Sequence, residues 1–319
     1  LNGFMSLSTL KENFSRPKRK MDEQIANDLK PGHLFVFGLG YSTTRLSKRL
    51  LALGWKVSGT NRSQQKVIEA ESMGISSMVF DEGTPLSEPE KIFSDVTHII
   101  ASIPPSDNGE IPLMLHSDEL RKAPCLTWVN YLSTPAVYGD RSGGIASETD
   151  EPAPTSKRGQ RRLAAESAWI KTYEDLGVSV QIMRIAGIYG PGRSAIDQVI
   201  SGKARIIEKA GQVFNRIHVD DIGTSIIASM VRPKDKGIYN LADGNPCASG
   251  DVTRYACELL QVKPPEPISF EDAELSEMAR SFYSECKVLT ISRLKNELMV
   301  DLRYPSYKEG LREIFENKS

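Results

Sequence analysis

The segment with the clearest chemical meaning in this sequence is a glycine-rich run at residues 38–43. It reads Gly38-Leu39-Gly40-Tyr41-Ser42-Thr43 and follows the apolar run His33–Phe37. Between a strand and a helix, the first glycine permits a tight turn and the second lets the backbone approach a pyrophosphate. The free amides at the start of the helix then hold the anion. The run therefore predicts a dinucleotide site, and a glycine turn without a ligand is the alternative.

We assign five residues of this run to cofactor binding, namely Gly38, Gly40, Tyr41, Ser42 and Thr43. Thr43 stands where the motif prefers a third Gly or Ala. Because threonine is β-branched, the packing of the helix on the strand must tolerate a larger side chain at this position.

The end of the second predicted strand bears on the choice of cofactor. An NAD site usually has Asp or Glu about 20 residues past the glycines, where the carboxylate accepts hydrogen bonds from the ribose 2′-hydroxyl. Here the segment reads Gly59-Thr60-Asn61-Arg62-Ser63 and holds no acid. Since a guanidinium pairs well with phosphate, Asn61 and Arg62 predict NADP(H), with NAD(H) as the alternative cofactor. A solvated loop cation is the alternative interpretation of Arg62.

These segments belong to a regular alternation of predicted strands and helices. The strands are His33–Phe37, Lys56–Thr60, Ser76–Asp81, His98–Ser102, Leu126–Leu132 and Ser179–Arg184, and the helices are Thr43–Gly54, Gln64–Gly74 and Gly159–Leu176. Strands that alternate with helices imply a parallel sheet covered on both faces. The sequence therefore predicts an α/β fold with a doubly wound parallel sheet, of the Rossmann type.

The alternation becomes looser after about residue 187. Shorter strands, Ala204–Glu208 and Gly237–Ala242, alternate with helices at Asp220–Met230, Ser249–Leu260 and Asp272–Ser281. We predict that residues 31–186 form the dinucleotide-binding domain and that residues 187–319 complete the sheet and build a small C-terminal substrate lobe. Residues 1–30 are predicted to be a disordered basic tail, with a transit peptide as the alternative.

The composition excludes several classes of protein. The 319 residues include 40 Lys+Arg and 41 Asp+Glu, so no basic surplus is available for nucleic acid. No apolar run approaches the ~20 residues needed to span a bilayer. The 4 His and 4 Cys lack metal-ligand spacing, so we expect neither a metal site nor a disulfide scaffold. The expected partner is a small-molecule substrate in the cytoplasm, unless the basic tail directs import into an organelle.

Three further stretches carry a family resemblance. They are Ser133–Asp140 (STPAVYGD), Arg184–Gly192 (RIAGIYGPG) and Ile217–Ile222 (IHVDDI). With the glycine turn, their order makes residues 33–315 resemble the extended short-chain dehydrogenase/reductase family of the NAD-dependent epimerase/dehydratase type. Because members of that family often pair through helices beside the sheet, the resemblance also implies a homodimer.

The resemblance implies roles for several residues. Thr134 would bind the carbonyl or hydroxyl of the substrate, and Gly187 and Ile188 would lie in the loop near the nicotinamide. Asp81 would contact the adenine, although strand-end capping is the alternative for this residue. We also assign Ala101, near the end of the fourth predicted strand, to the cofactor site.

The catalytic Tyr-x-x-x-Lys pair of that family is missing, which indicates an atypical subgroup. Aligning Leu163–Glu166 with the family helix puts Arg158 at the tyrosine position and Arg162 at the lysine position. Arginine stays protonated and only donates hydrogen bonds. These two catalytic-site residues therefore suit anion binding better than proton transfer, and two solvent-facing arginines are the alternative. Tyr138 and Asp140 are candidate replacement bases.

The third stretch and the residues before it invite further assignments. We interpret Asp220 as the N-cap of a helix and His218 as a structural group. Arg216 is a candidate contact for the phosphates of a nucleotide-linked substrate.

Two functions are compatible with these residues. The first is an NAD(P)-binding oxidoreductase or epimerase/dehydratase-like enzyme that acts on a small polar or nucleotide-sugar-type substrate, with Thr134 orienting it. The second is an NADP(H)-binding sensor or interaction protein with weak or no turnover. The missing pair favours the second function, whereas Thr134 and the nicotinamide loop favour the first, which we prefer.

Overall fold

The computed structural model describes residues 28–318 of the chain. The tail predicted at residues 1–30 therefore lies, up to residue 27, outside the described residues. Thirteen strands are present in the described part. In chain order they are β1 His33–Phe37, β2 Lys56–Asn61, β3 Ser76–Val79, β4 His98–Ala101, β5 Trp128–Ser133, β6 Ile145–Ala146, β7 Ser179–Ile185, β8 Gly187–Tyr189, β9 Ile206–Glu208, β10 Arg216–His218, β11 Gly237–Leu241, β12 Pro267–Ser269 and β13 Val288–Leu289.

Residues 28–318 also hold eleven α-helices and one 3₁₀ helix, which lie between these strands or after the last of them. The α-helices are α1 Tyr41–Ala52, α2 Gln64–Glu71, α3 Pro89–Phe93, α4 Ile111–Arg121, α5 Lys157–Tyr173, α6 Ala195–Ile200, α7 Val219–Val231, α8 Ser249–Leu260, α9 Glu277–Phe282, α10 Ser292–Asn296 and α11 Tyr307–Glu316. The 3₁₀ helix spans Pro135–Tyr138, directly after β5.

A seven-stranded parallel sheet forms the centre of the fold. Its strand order is β11-β7-β5-β4-β1-β2-β3, and each neighbouring pair runs parallel. The chain moves outward from β1 to β3 and then crosses back to β4 on the other side of β1. This confirms the predicted doubly wound Rossmann fold, with the topological switch point between β1 and β4.

Helices cover both faces of the sheet, and β1 shows how the two faces arise. Every residue of β1 is buried, as expected for a central parallel strand. Leu34 and Val36 pack with the apolar side chains of α1 and α7, whereas Phe35 and Phe37 pack on the opposite face. There the Phe35 ring meets Phe93 edge-on at 5.2 Å between centroids. The period of two along the strand thus builds two separate cores.

After β7 the chain returns to the central sheet only once, as β11. The other elements after β7 form a smaller group beside the sheet. Parallel pairs β8–β10 and β9–β12 lie in this part, and β13 pairs with β6. A small apolar cluster of Tyr189, Ile196, Ala256, Leu311 and Ile314 joins β8 to the helices α6, α8 and α11. The division into domains at residue 187 stays a prediction.

Two differences from the sequence-based elements have a local cause. The helix predicted at Asp272–Ser281 begins only at Glu277, because the Ser276 hydroxyl caps it by accepting from the Ala279 amide at 3.2 Å. Helices α3 and α4 were not predicted. Each has proline in its first turn, where proline is tolerated rather than disruptive. No helix within residues 28–318 is both long and apolar enough to cross a membrane.

Candidate functional site

The glycine turn between β1 and α1 lies at the switch point of the sheet. Gly38 has a φ of 94°, and a Cβ atom there would lie 3.0 Å from Cγ1 of Ile103, so both the conformation and the space favour glycine. The Gly38 amide donates to the Thr60 hydroxyl at 2.9 Å, which ties the turn to β2. Apart from its two chain neighbours, no residue of 28–318 would come within 4 Å of a Cβ atom on Gly40. Gly40 therefore faces open space next to the start of α1.

Thr43 explains why this motif departs from glycine or alanine at its third position. The residue is buried, and its hydroxyl accepts from the Gly40 amide at 2.8 Å and donates to the Gly38 carbonyl at 2.9 Å. The side chain thus holds the turn closed from inside. The amides of the first helical turn lack acceptors within the helix, so they remain available to an anion.

The residues assigned to the adenosine end of the cofactor surround the ends of β2 and β3. Arg62 is exposed and forms no ion pair within the described residues. Asn61 is buried, and its amide donates to the Ser77 hydroxyl at 3.0 Å. Asp81 accepts from the Gly83 amide at 2.9 Å and so caps its own turn. The cofactor roles of these residues stay predictions.

Tyr41 joins the glycine turn to the segment that follows β8. Its hydroxyl donates to the Pro191 carbonyl at 3.0 Å, and the guanidinium of Arg193 lies 5.8 Å from its ring centre. Gly187 and Ile188, assigned to the nicotinamide loop, lie in β8. The structure therefore brings two separate sequence motifs to one edge of the sheet. Ala101 is fully buried at the end of β4, beside β1.

The segment assigned to substrate binding lies where β5 ends and α5 begins. Thr134 is half-buried and caps the 3₁₀ helix, because its hydroxyl accepts from the Ala136 amide at 3.3 Å. A Cβ atom on Gly159 would lie 2.6 Å from the Ala136 carbonyl oxygen. Glycine at this position therefore lets the first turn of α5 pack directly against the 3₁₀ helix.

Arg158 and Arg162 lie one turn apart at the start of α5. The Arg162 guanidinium donates to the Leu132 carbonyl at 2.7 Å and to the Tyr131 hydroxyl at 3.1 Å, so it is fixed at the end of β5. The Arg158 guanidinium lies 5.6 Å from the ring centre of Phe282 on α9. Burial and the nearby charge of Arg162 lower the pKa of Arg158.

A buried carboxyl group that the sequence did not reveal lies near Arg162. Glu110 is 4% exposed, and neither of its carboxyl oxygens has a hydrogen-bond partner within the described residues. Burial raises the pKa of Glu110 to about 7, although the Trp169 indole and the Arg162 guanidinium nearby oppose the rise. A large share of Glu110 is therefore neutral near pH 7.

A second buried group, this one paired, joins α5 to β7. The Arg184 guanidinium donates to both carboxylate oxygens of Glu166, at 3.1 and 2.7 Å, and both side chains are almost fully buried. Ser133 donates to the same carboxylate. Sequence reasoning missed this pair, because only the fold brings the Glu166 carboxylate on the helix into contact with the Arg184 guanidinium on the strand.

Tyr138 and Asp140 are poorly suited to replace the missing base. Tyr138 is fully buried, its hydroxyl donates to the Asn240 side chain at 2.8 Å, and burial raises its pKa. Asp140 accepts from the Cys286 and Ser142 amides at 2.7 and 3.1 Å, and these bonds lower its pKa. A phenol with a raised pKa and a carboxylate with a lowered one are both weak bases near pH 7.

The interpretation of Asp220 as an N-cap is wrong. His218 is the N-cap of α7, and its Nδ1 atom accepts from the Asp220 amide at 3.2 Å. Asp220 lies in the first turn instead and binds Arg45 through two hydrogen bonds of 2.7 and 3.1 Å. His218 is fully buried, as expected for a structural group. Arg216 donates to the Phe214 and Cys247 carbonyls at 2.9 and 3.2 Å and contacts the Cys247 sulfur at 3.1 Å, and its role toward a substrate stays a prediction.

A cavity of about 440 Å³ lies next to the start of α8. Its lining includes the rings of Phe214 and Tyr283, whose centres are 5.1 Å apart, and the side chains of Lys209 and Arg254. The Ser249 and Tyr283 hydroxyls are 3.2 Å apart at its wall. The cavity thus combines aromatic rings with polar side chains, and its Arg254 is paired with Glu208 and Asp251, which also line it. No group of three or more His, Cys, Asp or Glu side chains within residues 28–318 is placed to hold a metal ion.

Comparison with known proteins places the chain among relatives. No family model matches it. A solved structure of a functionally unknown conserved protein from Silicibacter pomeroyi DSS is 38% identical, spans 90% of this chain and 99% of its own, and has a TM-score of 0.82. This chain belongs to the same family as that Silicibacter protein. Protein YeeZ of Escherichia coli K12 is 27% identical over 279 residues, which are 85% of this chain and 95% of YeeZ.

The fold is also shared with enzymes of the type that the sequence resembles. The UDP-glucuronic acid 4-epimerase of Bacillus cereus, solved with UDP-glucuronic acid and NAD, is 17% identical and has a TM-score of 0.71. The match spans 90% of this chain and 100% of the epimerase chain. Likeness at this level of identity shows the common fold, and the atypical subgroup stays a prediction.

Proposed function

We propose that this chain binds NADP(H) at the glycine turn and acts on a small polar or nucleotide-sugar-type substrate. It would do so as an oxidoreductase or epimerase/dehydratase-like protein with altered acid/base residues. The observation that carries the proposal is the geometry around Gly40. This residue precedes α1 at the switch point of a doubly wound sheet, and the position of its absent Cβ is open. Ligands of such folds bind at this point, with a diphosphate on the first helix.

Several residues of the chain would hold the cofactor. The amides of Tyr41, Ser42 and Thr43 would bind the diphosphate, and Thr43 would keep the turn in shape through its two hydrogen bonds. Arg62 is free of ion pairs within the described residues and follows β2, where it would bind a 2′-phosphate. The absence of an acid at residues 59–63 supports NADP(H) over NAD(H).

The substrate end of the cleft would be formed by Thr134 and the start of α5. Bound NADP(H) would supply hydride chemistry. The Thr134 hydroxyl accepts one backbone hydrogen bond, so its proton is free to bind a substrate oxygen. The cavity beside α8 would accept a larger polar portion of the substrate. The B. cereus epimerase, which holds a nucleotide sugar and NAD on the same fold, supports this class of substrate.

A second candidate function follows from the residues at the tyrosine and lysine positions of the resembled family. Arg158 and Arg162 cannot exchange a proton near pH 7, and the Tyr138 hydroxyl is buried against Asn240. These observations favour an NADP(H)-binding protein with little or no turnover, which would act as a sensor or interaction partner.

Substitutions at Gly40 test the cofactor site directly. The φ of −109° and the open space at this residue accept a side chain, so Gly40→Ala and Gly40→Val should leave the melting temperature of the free protein unchanged. The valine should block the diphosphate and weaken NADP⁺ binding at least about a hundredfold in calorimetry, a loss of about 3 kcal/mol. Gly223→Ala is the matched control, because outside the neighbouring backbone of its own helix no residue of 28–318 comes within 4 Å of its Cβ position. Unchanged NADP⁺ affinity in Gly40→Val would contradict the proposal.

Cofactor choice and turnover are tested separately. Arg62→Gln should raise the NADP⁺ dissociation constant by roughly 10- to 100-fold and leave that for NAD⁺ unchanged, because hydrogen bonds to a charged group contribute about 1.5–3 kcal/mol. Lys66→Gln removes an equal charge nearby, from a lysine paired with Glu69, as the control. Oxidation of NADPH across a panel of carbonyl compounds and nucleotide sugars, lost in Thr134→Ala, would support an enzyme. No oxidation by cofactor-saturated protein would support the second candidate.

A further inference from the structure

We propose that Arg158 and Arg162 form an oxyanion-binding site, so that the substrate carries a carboxylate or phosphate close to its reacting carbon. That the ligand is a substrate rests on the proposed function, but the site itself is argued from the arginines. It replaces the proton-transfer pair of the resembled family with a pair of fixed positive charges.

The two arginines lie beside the proposed reacting position. They occupy one face of α5, one turn apart, and the close approach at Gly159 holds that turn against the 3₁₀ helix. The Arg162 guanidinium contacts the Leu132 carbonyl, two residues before Thr134. An anion bound by this guanidinium would therefore sit beside whatever group Thr134 binds.

The positive charge of the pair is not neutralised within the described residues. Neither Arg158 nor Arg162 forms an ion pair there, whereas the neighbouring Arg161 pairs with Asp107 and the buried Arg184 pairs with Glu166. Glu110 lies near Arg162, and because burial raises its pKa to about 7, only part of this acid is ionised near pH 7.

Arg162 is held in place before any ligand arrives, and Arg158 lies near an aromatic ring. Two acceptors at the end of β5 fix one nitrogen of Arg162, and its other nitrogens donate no hydrogen bond to any residue of 28–318. The Arg158 guanidinium rests near the ring of Phe282, which is 51% exposed. Burial, and after it the positive charge of Arg162, lower the pKa of Arg158, so an anion bound between the two guanidinium groups would offset their repulsion.

The chemistry of guanidinium groups defines the ligand class. Their planar donors match the oxygens of carboxylates and phosphates in a bidentate manner, which an ammonium group cannot do. The geometry therefore points to a substrate that carries a carboxylate or a phosphate. The experiment distinguishes the two by using a separate probe for each.

The experiment measures oxyanion binding rather than turnover. Inorganic phosphate and malonate are each titrated calorimetrically into the protein, free and saturated with NADP⁺, at constant ionic strength. Arg158→Gln and Arg162→Gln should each weaken the preferred probe at least about tenfold, and the double variant should abolish its binding. Arg161→Gln, which removes the same charge from the adjacent helix position, should bind like the unaltered protein. Arg162→Lys should retain only part of the affinity for the preferred probe, because lysine keeps the positive charge but lacks the planar pair of donors of a guanidinium.

Three results would overturn the inference. The first is an unchanged affinity for both probes in the double variant, and the second is an equal loss in Arg161→Gln. The third is loss of probe binding on saturation with NADP⁺ together with weaker NADP⁺ binding in the arginine variants, which would assign the pair to the cofactor. Failure of the proposed function can be distinguished from failure of this inference. If the proposed function is wrong, the protein binds no dinucleotide, but the phosphate and malonate titrations still measure oxyanion binding by the two arginines.

Discussion

The buried carboxyl group of Glu110 makes a testable contribution to stability that depends on pH. Its pKa rises from 4.5 to about 7 on folding, because burial disfavours the charged form. At about 1.4 kcal/mol per pH unit, this shift corresponds to roughly 3 kcal/mol. The perturbation is Glu110→Gln, which keeps the shape of the neutral acid and has no proton to lose. No cap is removed, since the Glu110 side chain makes no capping hydrogen bond to α4.

The sign follows from the proton count in each state. Below about pH 4.5 both states hold the proton, so Glu110 costs the fold nothing there. As the pH rises toward 7, the unfolded chain loses the proton and the folded chain keeps it, so the free energy of unfolding falls. Above about pH 7 the folded state ionises as well, and the full cost is reached.

Urea denaturation at pH 5 and pH 8 measures this effect. At pH 8, Glu110→Gln should be more stable than the unaltered protein by about 3 kcal/mol, and most of that difference should disappear at pH 5. Asp243→Asn is a matched comparison, because burial also raises the pKa of Asp243 to about 7. A glutamine variant that is less stable at pH 8 would refute the reasoning, since it would show that Glu110 is ionised and stabilised by Arg162.

Three further substitutions test contacts that position the site. Glu166→Gln should lower the free energy of unfolding by about 3–5 kcal/mol in urea, because Arg184 stays buried without its partner; Glu174→Gln, in an exposed pair, should cost less than about 1 kcal/mol. Gly159→Ala should destabilise by roughly 1–3 kcal/mol in the same assay, since its Cβ would clash with a carbonyl oxygen. Thr43→Val should lower both the melting temperature and the calorimetric NADP⁺ affinity, whereas Thr43→Ser should retain both.

The sequence predicted the parallel sheet well because each central strand is a short apolar run with a clear end. The bounds of His33–Phe37 and Ser249–Leu260 were predicted as the structure has them. Helices α3 and α4 were missed because their prolines are also typical of breaks between elements. The prediction that Asp220 caps α7 failed because histidine is an unusual cap and the acid in the first turn has its own partner, Arg45.

Only those parts of the site that are formed by residues close together in the sequence could be predicted. The glycine turn needs six adjacent residues, so its position could be read along the chain, although the two hydrogen bonds of Thr43 could not. The arginines at 158 and 162 were found from spacing. Their relation to Glu110 depends on a contact between α4 and α5, helices that lie apart in the sequence. Burial sets the proton affinity of that acid, and burial is a property of the folded chain.

The place of β11 in the sheet affects how the molecule can be divided. The chain leaves the sheet after β7, builds β8 to β10 and α7, and returns to pair with β7 over residues 237–241. A fragment cut at residue 186 would lose this outermost strand and bare the hydrogen-bonding edge of β7, whose side chains are almost all buried. Such an exposed apolar edge favours self-association. The first 186 residues alone should therefore aggregate, whereas a circularly permuted chain opened between β12 and α9 would retain every strand of the sheet.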